Sequence, residues 1–138
     1  MTNLTILLVE DNATDEKITL RALAAKKIEA SIEVARDGQE ALDYLFGETR
    51  HIPNLILLDI KLPRLSGIEV LEEIRKREET SRIPVVMLTS STDAYDIAAC
   101  YRLGATSYVR KSEDFETFMD HVGVIGTYWM VINQLRPE

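Results

Sequence analysis

The chain has 138 residues, 46% of them hydrophobic and 28% charged, the composition of a folded globular chain rather than a disordered one. That length suits one compact domain whose core needs no disulfide or structural metal. A net charge of −7 works against nonspecific binding to nucleic acid or anionic lipid, and no apolar run nears the ~20 residues of a membrane span. Met1-Thr2-Asn3-Leu4 lacks the basic start of a secretory signal. The one cysteine, Cys100, cannot form an internal disulfide, which fits a cytoplasmic setting and a thiol packed as a small hydrophobe.

Residues 4–9 form a continuous apolar run that ends abruptly at Glu10-Asp11. Ile18, Ala22 and Ala25 then recur at helical spacing. Residues 32–35 alternate apolar and polar, as a strand near a sheet edge does. Asp37 opens a helix with Ala41, Leu42, Leu45 and Phe46 on one face. Residues 55–58 are again wholly apolar and end at Asp59. Ser66 and Glu69 have capping-box spacing at the start of a helix with Ile68, Leu71 and Ile74 inward. Residues 83–88 form a third apolar run, ending at Thr89. A helix over 93–103, a short strand over 105–109 and a long helix over about 114–135 complete the chain. Continuous apolar strands are buried on both faces, as in a parallel sheet. Strand–helix alternation repeated five times therefore predicts a flavodoxin-like, doubly wound α/β fold with strand order 2-1-3-4-5, filling residues 1–138 as one domain.

Open α/β sheets bind ligands beyond the carboxyl ends of their strands. There the sequence places Glu10, Asp11, Asp59, Thr89 and Lys111. Three converging carboxylates repel one another unless a cation lies among them, and hard oxygen ligands suit Mg²⁺. An ammonium and a hydroxyl at the same edge suit an anion such as a phosphoryl group. Any one of these acids could instead be a helix cap. Such a cap does not account for all five residues falling at successive strand ends.

In order and spacing, Glu10-Asp11, the stretch from Leu55 through Asp59 and Pro63 to Gly67, Pro84 through Thr89, Gly104-Ala105 and Tyr108-Val109-Arg110-Lys111 resemble the receiver domains of two-component response regulators. The resemblance runs from residue 6 to about residue 122. It implies that Asp59 accepts a phosphoryl group from a phosphohistidine on a sensor histidine kinase. Asp11, Asp59 and the Lys61 main-chain carbonyl would hold Mg²⁺, with Glu10 reaching it through water. Thr89 and Lys111 would bind phosphoryl oxygens, and Tyr108 would be the switch aromatic. A domain of this kind catalyses its own phosphotransfer but is a signalling part rather than a turnover enzyme. A second reading, a phosphorylation-independent docking or dimerisation module, would be favoured by loss of an acid, Thr89 or Lys111; all are present.

Several features depart from the family pattern or add to it. Ser112 stands where the family carries proline after the lysine, and a cis Lys111–Ser112 peptide is expected as strain held by the site. Leu62 replaces a methionine common in the family, and the resemblance implies that Lys61 and Ser91 border the path of attacking water. His51 and His121 lack metal-site spacing. In the last helix Phe118, Val122, Ile125 and Trp129 form one stripe, and Val124, Tyr128, Val131 and Leu135 form another on the opposite side. Two apolar stripes predict an interface, most simply a homodimer. No output domain is expected after about residue 135. The Lys111-Ser112 junction and the Tyr128-Trp129 helix resemble single-domain regulators paired with bacterial phytochrome kinases.

Overall fold

The computed structural model describes residues 4–49 and 51–137. Five parallel strands form one sheet: β1 (Thr5–Val9), β2 (Ser31–Ala35), β3 (Leu55–Leu58), β4 (Val85–Thr89) and β5 (Ser107–Arg110), in the order β2-β1-β3-β4-β5. The helices between and after them are α1 (Ala13–Ala25), α2 (Gly38–Phe46), α3 (Gly67–Lys76), α4 (Ala94–Arg102) and α5 (Phe115–Thr127). This is the doubly wound, flavodoxin-like arrangement expected from the alternation.

The three wholly apolar runs become the central strands because a helix layer covers each sheet face. Leu7, Val9, Ile56, Leu58, Val85 and Met87 pack towards α2, α3 and α4, where Leu45, Leu71 and Ile74 meet them. Ile6, Leu8, Leu55, Leu57, Val86 and Leu88 pack on the other face, against Leu23 of α1 and Phe118, Val122 and Ile125 of α5. Each fully buried Leu or Ile contributes about 1.5–3 kcal/mol of hydrophobic stabilisation. The outer strand β2 alternates in burial, as its sequence does. Ala25, expected on the inner face of its helix, is exposed at the last turn of α1.

Boundaries moved where local hydrogen bonds took precedence over apolar character. β4 starts at Val85 because Pro84 has no N–H and the Ile83 carbonyl is taken by Arg75 Nη1 at 2.8 Å. β5 starts at Ser107, since the Gly104 and Ala105 N–H groups still bond back to Tyr101 and Cys100 at the end of α4. Gly104 makes that turn at φ 100°, a conformation that glycine adopts without steric cost.

The last helix differs most from expectation. α5 passes at Thr127 into a wider π-turn over Tyr128–Ile132, closed by the Asn133 N–H on the Tyr128 carbonyl at 2.6 Å. The helix thus stops short of residue 135. Val124, Tyr128, Val131 and Ile132 face solvent, while Trp129 and Met130 pack against the core. Leu135 is not on the exposed stripe. It lies beyond the helix, half-buried, in a groove at the amino ends of the strands that also includes Ile52, Pro84 and Trp129.

Two hydrogen-bonded devices set the loop after β3. Ser66 and Glu69 form the expected capping box at the start of α3. The Gly67 N–H donates to the Ile60 carbonyl at 2.7 Å, and a Cβ on Gly67 would collide with the Asp59 carbonyl oxygen. Backbone meets backbone there, so no side chain can yield. Gly67→Ala should therefore cost about 1–3 kcal/mol of stability through overpacking, read as a lower urea midpoint at unchanged slope.

Candidate functional site: an ammonium among carboxylates

β1 and β3 are neighbours at the point where the chain reverses its direction of travel across the sheet, and Val9 stands opposite Leu58 in register. The next residue of each strand, Glu10 and Asp59, therefore leaves the sheet side by side. Backbone bonds continue the ladder past the last paired residues: Glu10 N–H to Ala35, Asp59 N–H to Val9, and Lys111 N–H to Thr89 at 2.9, 3.1 and 2.7 Å. Those bonds aim all three side chains at one crevice.

Within the crevice Lys111 Nζ lies 2.7 Å from Glu10 Oε1, 2.8 Å from Asp59 Oδ2 and 2.8 Å from Asp15 Oδ2. An ammonium has three N–H donors, and here each has a carboxylate. The other Glu10 oxygen accepts from the Asn12 N–H at 3.1 Å, and Asp59 Oδ1 accepts from the Ile60 N–H at 2.7 Å. Glu10, Asp59 and Lys111 are buried, whereas Asp11 is exposed at the rim. Glu10, Asp11 and Asp59 each present a carboxylate oxygen within 4.8 Å of the others. One ammonium leaves this group of carboxylates with excess negative charge, and hard oxygen donors in that excess fit a divalent cation.

Burial pushes Glu10 up to about 7, and the Asp59 charge adds to it against the opposing pull of Lys111. Burial works to lower the Lys111 ammonium, but its hydrogen bonds to Asp15, Asp59 and Glu10 outweigh that, and it titrates above its ordinary range. The Lys111 direction follows from three acids sharing one base, the Glu10 direction from its burial.

Thr89, the last residue of β4, is fully buried, and its hydroxyl oxygen accepts from the Ser91 N–H at 3.4 Å. The half-buried Tyr108 on β5 donates its hydroxyl to the Ser91 carbonyl at 2.8 Å. Ser91 in turn donates to Asp96 at the start of α4 at 2.7 Å. A single residue thus links the Thr89 loop, Tyr108 and α4. Lys61 is exposed on the loop just beyond Asp59.

The expectation of a cis Lys111–Ser112 peptide fails: every peptide bond among the described residues is trans. Without proline, cis costs about 3–4 kcal/mol. Ser112 instead accepts from the Asp114 N–H at 3.1 Å, a local turn that leads into the Asp114 cap of α5. Cys100 is buried, and desolvation with the nearby Asp96 charge pushes its thiol up to about 11, so it stays a packing residue. His121 is exposed, and the exposed His51 stacks on Tyr44 with ring centroids 4.8 Å apart.

Asp15 is the site residue that the strand-end reading missed, because it sits on a helix. Its signal was present: Asn12 accepts from the Asp15 N–H at 2.9 Å as the cap of α1, so Asn12-x-x-Asp15 marks a first turn at this same sheet edge.

The sequence profile of the response regulator receiver domain matches residues 6–123. The chain belongs to this family. Among the relatives of the receiver, the probable methanogenesis regulatory protein FilR2 of Methanothrix harundinacea is 40% identical over 94% of this chain and 85% of its own. Response regulator Rcp1 of Synechocystis is 38% identical over 91% of this chain and 88% of its own. The solved Mn²⁺-bound form of Rcp1 superposes with a TM-score of 0.92 at 35% identity, covering 97% of the receiver and 99% of that chain. The phosphorylated cyanobacterial phytochrome response regulator RcpA superposes at 0.93 and 35% identity, covering 99% and 100%. The receiver is thus related to phytochrome response regulators, and its acidic crevice lies in a fold for which a metal-bound relative is known.

The shift at Glu10 has a consequence for stability. A carboxyl that holds its proton more tightly folded than unfolded makes stability fall as pH rises between its ordinary value and about 7. Urea unfolding of the metal-free receiver should show that downward slope between pH 5 and 7, a window set by this shift. Glu10→Gln should flatten it.

Proposed function

We propose that this receiver accepts a phosphoryl group on Asp59 from a sensor histidine kinase in a Mg²⁺-dependent reaction. The observation that carries the reading is the Asp59 carboxylate, bonded through Oδ2 to Lys111 at 2.8 Å and grouped with Glu10 and Asp11. An Asp59 oxygen attacks the phosphorus of a kinase phosphohistidine. The new P–O bond forms as the P–N bond breaks, and the imidazole leaves with the electron pair. Lys111 pairs with a phosphoryl oxygen, and the Thr89 hydroxyl donates to another. Asp11, Asp59 and the Lys61 carbonyl would hold the metal, with Glu10 behind them. A bound Mg²⁺ would offset charge on the transferring oxygens, the main requirement of phosphoryl transfer.

Tyr108 serves as the switch aromatic in this reading. Its bond to Ser91, two residues past Thr89, ties its position to the loop that must respond when Thr89 takes a phosphoryl oxygen. The readout is a shifted population of surfaces around α4, β5 and α5. The relationship to Rcp1 and RcpA makes a phytochrome the favoured class of kinase, with the reaction in the cytoplasm. The exposed Val124, Tyr128 and Val131 support a homodimer through α5 and the π-turn.

Acetyl phosphate or phosphoramidate with Mg²⁺ should add one phosphoryl mass to the intact protein. Asp59→Asn or omission of Mg²⁺ should abolish the gain. No gain from these donors or from a kinase would favour the phosphorylation-independent module. Light scattering after size exclusion should give a dimer mass, and Val131→Asp should return it to the monomer.

A further inference from the structure

We propose that Asp15 is a positioning residue that holds Lys111 in the phosphoryl-free state and competes with the phosphoryl group for it when Asp59 is phosphorylated. The inference rests on Asp59 being the acceptor.

Lys111 has no N–H to spare. Glu10, Asp59 and Asp15 take all three, at 2.7–2.8 Å. A phosphoryl group joined to Asp59 takes over the N–H that the Asp59 carboxylate held, and any second phosphoryl oxygen on Lys111 must compete with Asp15 or Glu10. Glu10 and Asp59 belong to the three-carboxylate cluster that fits a cation, and both are almost wholly buried. Asp15 is outside that cluster, and its side chain is 25% exposed. It lies beside a cleft of about 270 Å³ that also reaches Ser90, Lys111, Ser112 and Phe115. Its side chain can turn towards water, where a freed carboxylate is well solvated. Glu10, almost wholly buried, has no such outlet, and Asp59 gives up its carboxylate charge to the new P–O bond.

Asp15 also opposes the reaction by its charge. It adds a full negative charge near the place where a dianionic phosphoryl group must settle, and like charges raise that cost. Its backbone role is separate, since the Asn12 cap bonds the Asp15 N–H and not its carboxylate. Asn at this position keeps shape and an acceptor oxygen while removing the charge.

The test is the phosphoramidate concentration that half-phosphorylates the protein at saturating Mg²⁺, read by intact mass. Asp15→Asn should lower it by about fivefold, the factor that corresponds to ~1 kcal/mol. Added KCl should narrow the gap. Asp15→Glu should stay near wild type because it restores the charge. Glu16→Gln removes an equal charge on the same helical turn, where Glu16 pairs with Arg36 at 2.8 Å, and should leave the concentration unchanged. A merely structural Asp15 would give a loss or no change in Asp15→Asn, and either result overturns the proposal. An equal gain in Glu16→Gln overturns it too. Absence of phosphoryl uptake by the wild type would remove the acceptor and this proposal together, whereas uptake that Asp15→Asn leaves unaltered would remove this proposal alone.

Discussion

One buried ammonium organises the functional end of this molecule. Lys111 must be charged, because three carboxylates converge on it, and Glu10 and Asp59 can be buried only because it is there. Removing one partner of such a group strands the others in low dielectric, which costs far more than a surface ion pair is worth. Even with Lys111 the group keeps excess negative charge. That excess fits the crevice for a cation, while burial first, and the Asp59 charge after it, holds Glu10 above the ordinary carboxylate range.

The fold places that charge by backbone means. Parallel pairing sets Val9 against Leu58 and Thr89 against Arg110, so the residues just past each strand leave together. Strand interiors apolar on both faces allow helices to cover both sides, and polar groups are left to the strand ends. Gly67 then lets α3 start directly against the Asp59 carbonyl, so that β3, its loop and the next helix form one rigid corner. Tyr108, Ser91 and Asp96 connect this end to α4 through three hydrogen-bonding partners in a row. A displaced Thr89 loop therefore has a direct mechanical route to an outer helix.

At the other end of the chain, α5 serves the core with one face and solvent with the other. Phe118, Val122 and Ile125 close the sheet, while Val124 and Tyr128 remain open. The π-turn keeps Trp129 on the core side and turns Val131 and Ile132 outward, so they add to the exposed apolar residues of the last helical turns. Leu135 is drawn back to the amino ends of the strands, which separates it from that surface.

The sequence by itself determined the alternation of strands and helices, the parallel order and the acids, hydroxyl and lysine at the strand ends. Those are period and punctuation effects: apolar runs of strand length, helical spacing, capping residues at fixed offsets. Family spacing added Asp59, Lys111 and Tyr108 in named roles. Only the tertiary structure decided what depends on contacts distant in sequence. Asp15 joins Lys111 across 96 positions, a pairing no local pattern contains. The trans Lys111–Ser112 bond followed from the high intrinsic cost of cis without proline and from the turn that Ser112 makes with Asp114. The helix end at Ile132 was hidden for a similar reason. Apolar spacing continues to Leu135, but a 2.6 Å hydrogen bond from Asn133 closes the wider turn and a groove beneath the sheet takes up the leucine. Periodicity reports which residues prefer burial; which surface buries them is settled by the packed chain.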